Sequence, residues 1–301
     1  MPTDHSSLLR GIIPPVVTPM TAEQDVDLPG LRRHVDFVLA KGVHGIFVLG
    51  TTGEFYALDE REKQSVVADT VAHVGGRSPV YAGTGAETTR EVVRLTKMAE
   101  KEGAAGVSVI TPYFIKPNQS ELFDHFRRVA ESTSLPVVLY NNPATCGGLS
   151  IEPETVAKLA EVPNIVGIKD SSGDLQNTIE IIRQTPRDTF SVLNGRDTLI
   201  LAALQAGAQG AIPASCNIAP DLCVGIYESF AKGDIDAAKA AQSRLHGVRM
   251  AMSLGTGNSA VKEAMALLGR SAGPMRSPVL PFGDAQKAKL RAILEKAGLG
   301  E

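Results

Sequence analysis

A (β/α)8 barrel carrying a C-terminal helical extension is the fold this chain predicts. Three observations lead there. Eight short, β-branched apolar runs recur about 20 to 34 residues apart. Amphipathic stretches of helical period fill the intervals between them. The strand signal stops near Gly233, and only helical patterns follow. Strands that alternate with helices in this way build a parallel sheet, and eight units close it into a barrel.

The apolar runs fall at residues 12–17, 45–49, 79–82, 105–110, 136–140, 165–168, 190–193 and 209–212. Between them, Val92, Leu95 and Ala99 follow i, i+3, i+7, and Leu122, Phe126 and Val129 follow i, i+4, i+7. Leu175, Ile179 and Ile182 repeat the second spacing. Each stripe predicts a helix packed on the sheet. An open doubly wound sheet would show a Gly-x-Gly-x-x-Gly turn after its first strand, and none follows Val17. Residues 234–252, 258–268 and 284–297 predict three helices separated by Gly and Pro breaks. The expected division is a barrel over 1–233 and a helical extension over 234–301.

Composition narrows the function classes. A length of 301 residues admits one large domain or two small ones. With 43% apolar residues and a mean hydropathy of +0.02, the chain suits a soluble globular protein with a substantial core. A net charge of −3 argues against nucleic acid or a membrane surface as partner. No run approaches the roughly 18 apolar residues that span a bilayer. The polar start, residues 1–10, lacks the apolar region of a signal peptide, so a cytoplasmic protein is expected. Cys146, Cys216 and Cys223 are odd in number and include no Cys-x-x-Cys pair. The six histidines are scattered. Neither a disulfide framework nor a metal site is expected.

In a barrel, chemistry collects where strands end. The sixth run ends Gly167-Ile168-Lys169-Asp170. An amine at the end of an apolar strand is desolvated, desolvation penalises the ammonium, and a neutral amine attacks carbonyl carbon. The second run ends Leu49-Gly50-Thr51-Thr52-Gly53-Glu54, a turn whose amides can cradle a carboxylate or a phosphate. The fifth ends Tyr140-Asn141-Asn142-Pro143, which offers a phenol for proton transfer with Thr51 to orient it. Asp170 is expected to cap the helix that follows it. Cys146 reads as a small pocket-lining residue, and Gly83-Thr84-Gly85-Ala86-Glu87 as a structural turn at a possible subunit contact.

In order and spacing these motifs resemble the dihydrodipicolinate synthase/N-acetylneuraminate lyase family. Gly83-Thr84-Gly85, Thr111-Pro112-Tyr113 and the C-terminal helices extend the resemblance over nearly the whole chain. It implies a metal-free class I aldolase fold that needs no cofactor beyond a covalent lysine Schiff base. It also implies a homotetramer with pyruvate or a related 2-oxo acid and an aldehyde as substrates. Carried over, Lys169 resembles the Schiff-base lysine, Tyr140 the proton-transferring phenol and Thr51 the hydroxyl that orients it. The amides around Gly50, Thr51 and Thr52 resemble the carboxylate site. Gly195 and Ile212 match pocket-lining positions.

Three departures stand out. Thr145 occupies the place of an Arg that, in the lysine-pathway synthase, grips the second substrate's carboxylate, and Thr makes no bidentate charged contact. Phe114 replaces a second Tyr of the proton relay. Glu60 and Lys63 replace the histidines of the lysine-inhibition pocket. Neutral Thr145 and Asn142 suit a polyhydroxylated substrate end. The string Gly257-Asn258-Ser259-Ala260-Val261-Lys262-Glu263-Ala264 also leans toward the sugar-acid aldolases. The reaction expected is reversible cleavage of a 2-keto-3-deoxy sugar acid to pyruvate and an aldehyde. The alternatives are 4-hydroxy-tetrahydrodipicolinate synthesis, sugar-acid dehydration, or a non-catalytic 2-oxo acid sensor.

Overall fold

The computed structural model describes residues 9–300, so most of the polar opening segment lies outside the described residues. Eight parallel strands form one sheet: β1 (Gly11–Ile12), β2 (Ile46–Val48), β3 (Val80–Gly83), β4 (Gly106–Ile110), β5 (Val137–Asn141), β6 (Ile165–Asp170), β7 (Ser191–Asn194) and β8 (Gly210–Ala211). Neighbours in sequence are neighbours in space from β2 to β8, and β8 pairs with β1. The last seam closes where the Phe47 amide donates to Pro14 O at 3.0 Å and the Val16 amide to Phe47 O at 2.9 Å. The fold is the (β/α)8 barrel expected.

β1 is much shorter than its apolar run. Pro14 and Pro15 have no N–H to donate, so the ladder thins to that single bridge. β6 is longer than its run, because Lys169 and Asp170 stay in register with Leu193 and Asn194 of β7.

Side chains inside the barrel pack as one cluster of Leu9, Ile13, Phe47, Tyr81, Val138, Val166, Leu193 and Ile212. A larger core lies between the strands and the ring of helices. That ring comprises α1 (Leu28–Ala40), α2 (Glu60–Val74), α3 (Thr89–Lys101), α4 (Gln119–Ala130), α5 (Pro153–Leu159), α6 (Leu175–Gln184), α7 (Ile200–Ala206) and α8 (Pro220–Ala231). The stripes of α3 and α4 point inward as expected.

The stripe of α6 does so only in part, through Leu175 and Ile182. Ile179 is exposed, and the buried positions are Thr178, Ile181 and Ile182. The Thr178 hydroxyl donates to Asp170 Oδ2 at 2.6 Å, and that bond fixes which face turns to the sheet. Asp170 also does not cap α6. Asp174 does, accepting from the Asn177 amide, while Asp170 ties Asn141, Ser172 and Thr178 together from the end of β6.

Beyond the ring come α9 (Ile235–Ala251), α10 (Ser259–Leu267) and α11 (Asp284–Lys296). They form their own apolar cluster, which takes in Val17 and Ile218 from the barrel side.

Candidate active site

The strand ends bring Lys169, Tyr140 and Thr51 together at one mouth. Tyr140 and Lys169 are paired residues on adjacent strands β5 and β6, so both side chains lean the same way. Lys169 Nζ lies 4.1 Å from the centroid of the Tyr140 ring and 5.3 Å from that of Phe47. Lys169 is 4% exposed, and among the described residues no carboxylate pairs with it. Two aromatic faces therefore surround the amine in place of an anion.

The Tyr140 hydroxyl accepts from Asn142 Nδ2 at 3.0 Å and shares a hydrogen bond of 3.3 Å with Thr51 Oγ1. Asn142 thus holds the phenol directly. Thr145 lies on the exposed edge of the same loop, and its hydroxyl donates to Asn142 O at 3.3 Å. Cys146 is fully buried against Thr111 O, and burial pushes its thiol up.

The Gly50–Gly53 segment folds as a tight turn. The Gly53 amide donates to Gly50 O at 3.0 Å, and the Glu54 amide to Thr51 O at 3.2 Å. Among the described residues, the Thr51 and Thr52 amides donate to nothing within the chain. Two free amides in sequence are what an anion nest presents. The turn is entered through Leu49 at φ +56° and left through Glu54 at φ +57°, a left-handed conformation unusual for bulky side chains. Such strain persists only where neighbours enforce it. Gly83 is one enforcer: a Cβ there would lie 2.0 Å from Leu49 O, so only glycine lets β3 approach that carbonyl. The expected structural reading of the Gly83 turn fits this contact.

Gly195 gives room to Ser171, whose hydroxyl would lie 1.9 Å from a Cβ at that position. Ile212 is buried in the barrel interior next to Leu193. Phe114 is 82% exposed beside the equally bare Ile115.

Sequence reasoning missed a second layer. Glu54 and Lys262 form a buried ion pair, Nζ to Oε1 2.6 Å, and Asn258 Nδ2 donates to Thr51 O at 2.8 Å. Burial pushes the Lys262 ammonium down from its ordinary range, against the pull of Glu54. One signal was present in the sequence. Lys262 lies within the apolar face of α10 beside Val261 and Met265, where a solvated lysine is out of place.

Residues 8–297 match the family model described as the dihydrodipicolinate synthetase family. The chain belongs to that family. It is accordingly an enzyme, a lyase of the class I pyruvate-dependent aldolase type. It is 40% identical to a 4-hydroxy-tetrahydrodipicolinate synthase of Methanoculleus marisnigri, over 97% of this chain and 100% of the relative. Among solved structures it is similar to the E. coli K12 prophage protein YagE in complex with pyruvate, with a TM-score of 0.94 and 35% identity over 97% and 100% of the two chains. It is equally similar to a monomeric dihydrodipicolinate synthase variant, with a TM-score of 0.94 and 33% identity over 99% of both. The expected leaning toward sugar-acid aldolases is not borne out by these relatives, the first of which carries the synthase name. That leaning rested on Thr145, Phe114, Asn142 and the segment 257–264, a few positions set against similarity along the whole chain. Among the described residues no helix is long and apolar enough to cross a membrane.

Proposed function

We propose that Lys169 forms a Schiff base at C2 of pyruvate or a related 2-oxo acid and that the enzyme makes or breaks the C3–C4 bond of that adduct. The observation that carries this reading is the buried, anion-free amine of Lys169 lying 4.1 Å from the Tyr140 ring centroid. Nζ attacks the C2 carbonyl, and Tyr140 delivers the proton with which the oxygen leaves as water. The iminium then draws the electrons of the C3–C4 bond into an enamine, while the C4 hydroxyl gives its proton back to Tyr140. The substrate carboxylate rests on the free amides of Thr51 and Thr52, which sets C2 over the amine. No metal or further cofactor has a step in this scheme.

For the aldehyde we favour a neutral, hydroxylated partner that gives a 2-keto-3-deoxy sugar acid. The support is Thr145, whose hydroxyl is turned onto its own loop and carries no charge to grip a carboxylate. Aspartate semialdehyde is the second reading, favoured by the name of the Methanoculleus relative. A tetramer is the assembly we propose, with the bare Phe114 and Ile115 as a place for copies to meet. Sedimentation velocity decides it.

Borohydride with pyruvate should inactivate the wild type and add mass at Lys169. Equal trapping of Lys169→Ala would remove Lys169 from the mechanism. Condensation of pyruvate with glyceraldehyde, glycolaldehyde and aspartate semialdehyde, run side by side, then ranks the two aldehyde readings. Turnover with the semialdehyde alone would reverse our order.

A further inference from the structure

The turn that presents the two free amides is not held by the barrel alone. Thr18 Oγ1 donates to Gly53 O at 2.7 Å from the barrel side. Thr51 Oγ1 meets the Tyr140 hydroxyl at 3.3 Å, and further ties come from the last part of the chain. Asn258, just ahead of α10, donates to Thr51 O at 2.8 Å. Lys262, one turn into α10, pairs with Glu54 at 2.6 Å and donates to Pro274 O at 2.9 Å. The Arg276 amide donates to the other Glu54 oxygen at 3.2 Å. The Glu54 and Lys262 side chains are 1% and 2% exposed.

An ion pair removed from water in this way is poor evidence for stability, since two apolar groups of similar size often serve as well. What it does supply is direction. Glu54 sits in a left-handed conformation at the exit of the turn, and its carboxylate is gripped from two sides. Thr51 O, which closes the turn by accepting from the Glu54 amide, is fixed from outside by Asn258. Both grips act on the two residues that flank Thr52 and Gly53.

We propose that Lys262 and Asn258 are positioning residues for the carboxylate-binding turn: through Glu54 and Thr51 O they hold the Thr51 and Thr52 amides in the orientation that receives the 2-oxo acid. The inference rests on the Schiff-base reading for its functional half and on the contacts alone for its structural half. Neither residue touches the reacting atoms. Both act on where the carboxylate sits, and so on binding more than on the chemical step.

The test uses Asn258→Ala and the paired change Glu54→Gln with Lys262→Met, because Lys262→Met alone would strand a buried carboxylate. Two quantities are read on the full-length enzyme: deuterium uptake across residues 47–56, and the pyruvate concentration for half-maximal borohydride trapping with the trapping rate at saturation. We expect faster uptake confined to that segment. We also expect half-saturation to rise about tenfold, as losing a charge-assisted contact would cause, with the saturated rate within about threefold of wild type. Wild-type uptake and half-saturation in both variants would overturn the proposal. So would uptake raised equally throughout the barrel, which would make the contacts a matter of general stability. If wild type is not trapped at all, the Schiff-base reading fails, and segment uptake still decides whether the grips hold the turn.

Discussion

Tyr140→Phe separates the two jobs the structure gives this side chain. The ring stays, so the face 4.1 Å from Lys169 Nζ is kept and a cation on that nitrogen is still sheltered. The hydroxyl goes, and with it the acceptor for Asn142 Nδ2 and the partner of Thr51 Oγ1. Asn142 is buried, so its stranded amide costs about 1–2 kcal/mol of stability, whereas partly exposed Thr51 turns to water. Against a typical reserve of about 5–15 kcal/mol, the variant stays folded. Loss of a positioned proton donor costs far more in rate, about 10²- to 10⁴-fold, equivalent to ~3–5 kcal/mol in the barrier. The assay is exchange of the pyruvate methyl protons in D2O followed by NMR, which reports enamine formation and needs no aldehyde. Tyr140→Phe should still be trapped by borohydride on long incubation and should exchange at least about 100-fold more slowly. Tyr140→Leu should lose trapping as well. Exchange by Tyr140→Phe within about threefold of wild type would refute the assignment of proton transfer to this phenol.

Two further outcomes follow from burial and close packing. His34 and His125 are both buried, and desolvation pushes each imidazole down to about 4. Above about pH 6.5, folded and unfolded chains carry the same neutral rings. As pH falls from there toward 4, the unfolded chain takes up protons that the native state refuses, so stability drops by up to about 3 kcal/mol per histidine. Urea unfolding at pH 7.5 and 5.0 should show this drop, and His34→Gln should reduce it; an unchanged pH slope in that variant would clear His34 of the effect. Gly83→Ala puts a methyl 2.0 Å from Leu49 O, where only backbone can give way. It should cost about 2–3 kcal/mol and weaken pyruvate trapping. A wild-type melting temperature would show slack between β2 and β3 that the contact distance denies.

The sequence located every strand of the barrel and misjudged some of their ends, for identifiable reasons. Apolar periodicity reports burial, and burial continues through Pro14 and Pro15, where the hydrogen-bond ladder cannot. The α6 stripe failed at Ile179 alone, because the Thr178 hydroxyl takes the inward position through its bond to Asp170 at the end of β6. Lys169 and Tyr140 stood out because each lies at the end of a strand, and Thr51 because it lies in the turn after one, and a barrel gathers strand ends. Asn142 was expected as a substrate contact; its hydrogen bond to the Tyr140 hydroxyl was not foreseen. The Glu54–Lys262 pair was not legible, since its members lie more than two hundred positions apart and no local pattern links them.

That separation has a consequence for how the protein is made. Lys169, Tyr140 and the Gly50–Gly53 turn, which carry the proposed chemistry, are all specified before residue 170, and the strand order is complete by residue 211. A ribosome that has finished the barrel has therefore supplied Lys169, Tyr140 and Thr51 and none of the α10 contacts to the Gly50–Glu54 segment. On the proposed reading, synthesis supplies the side chains at the mouth early and the residues that brace them last.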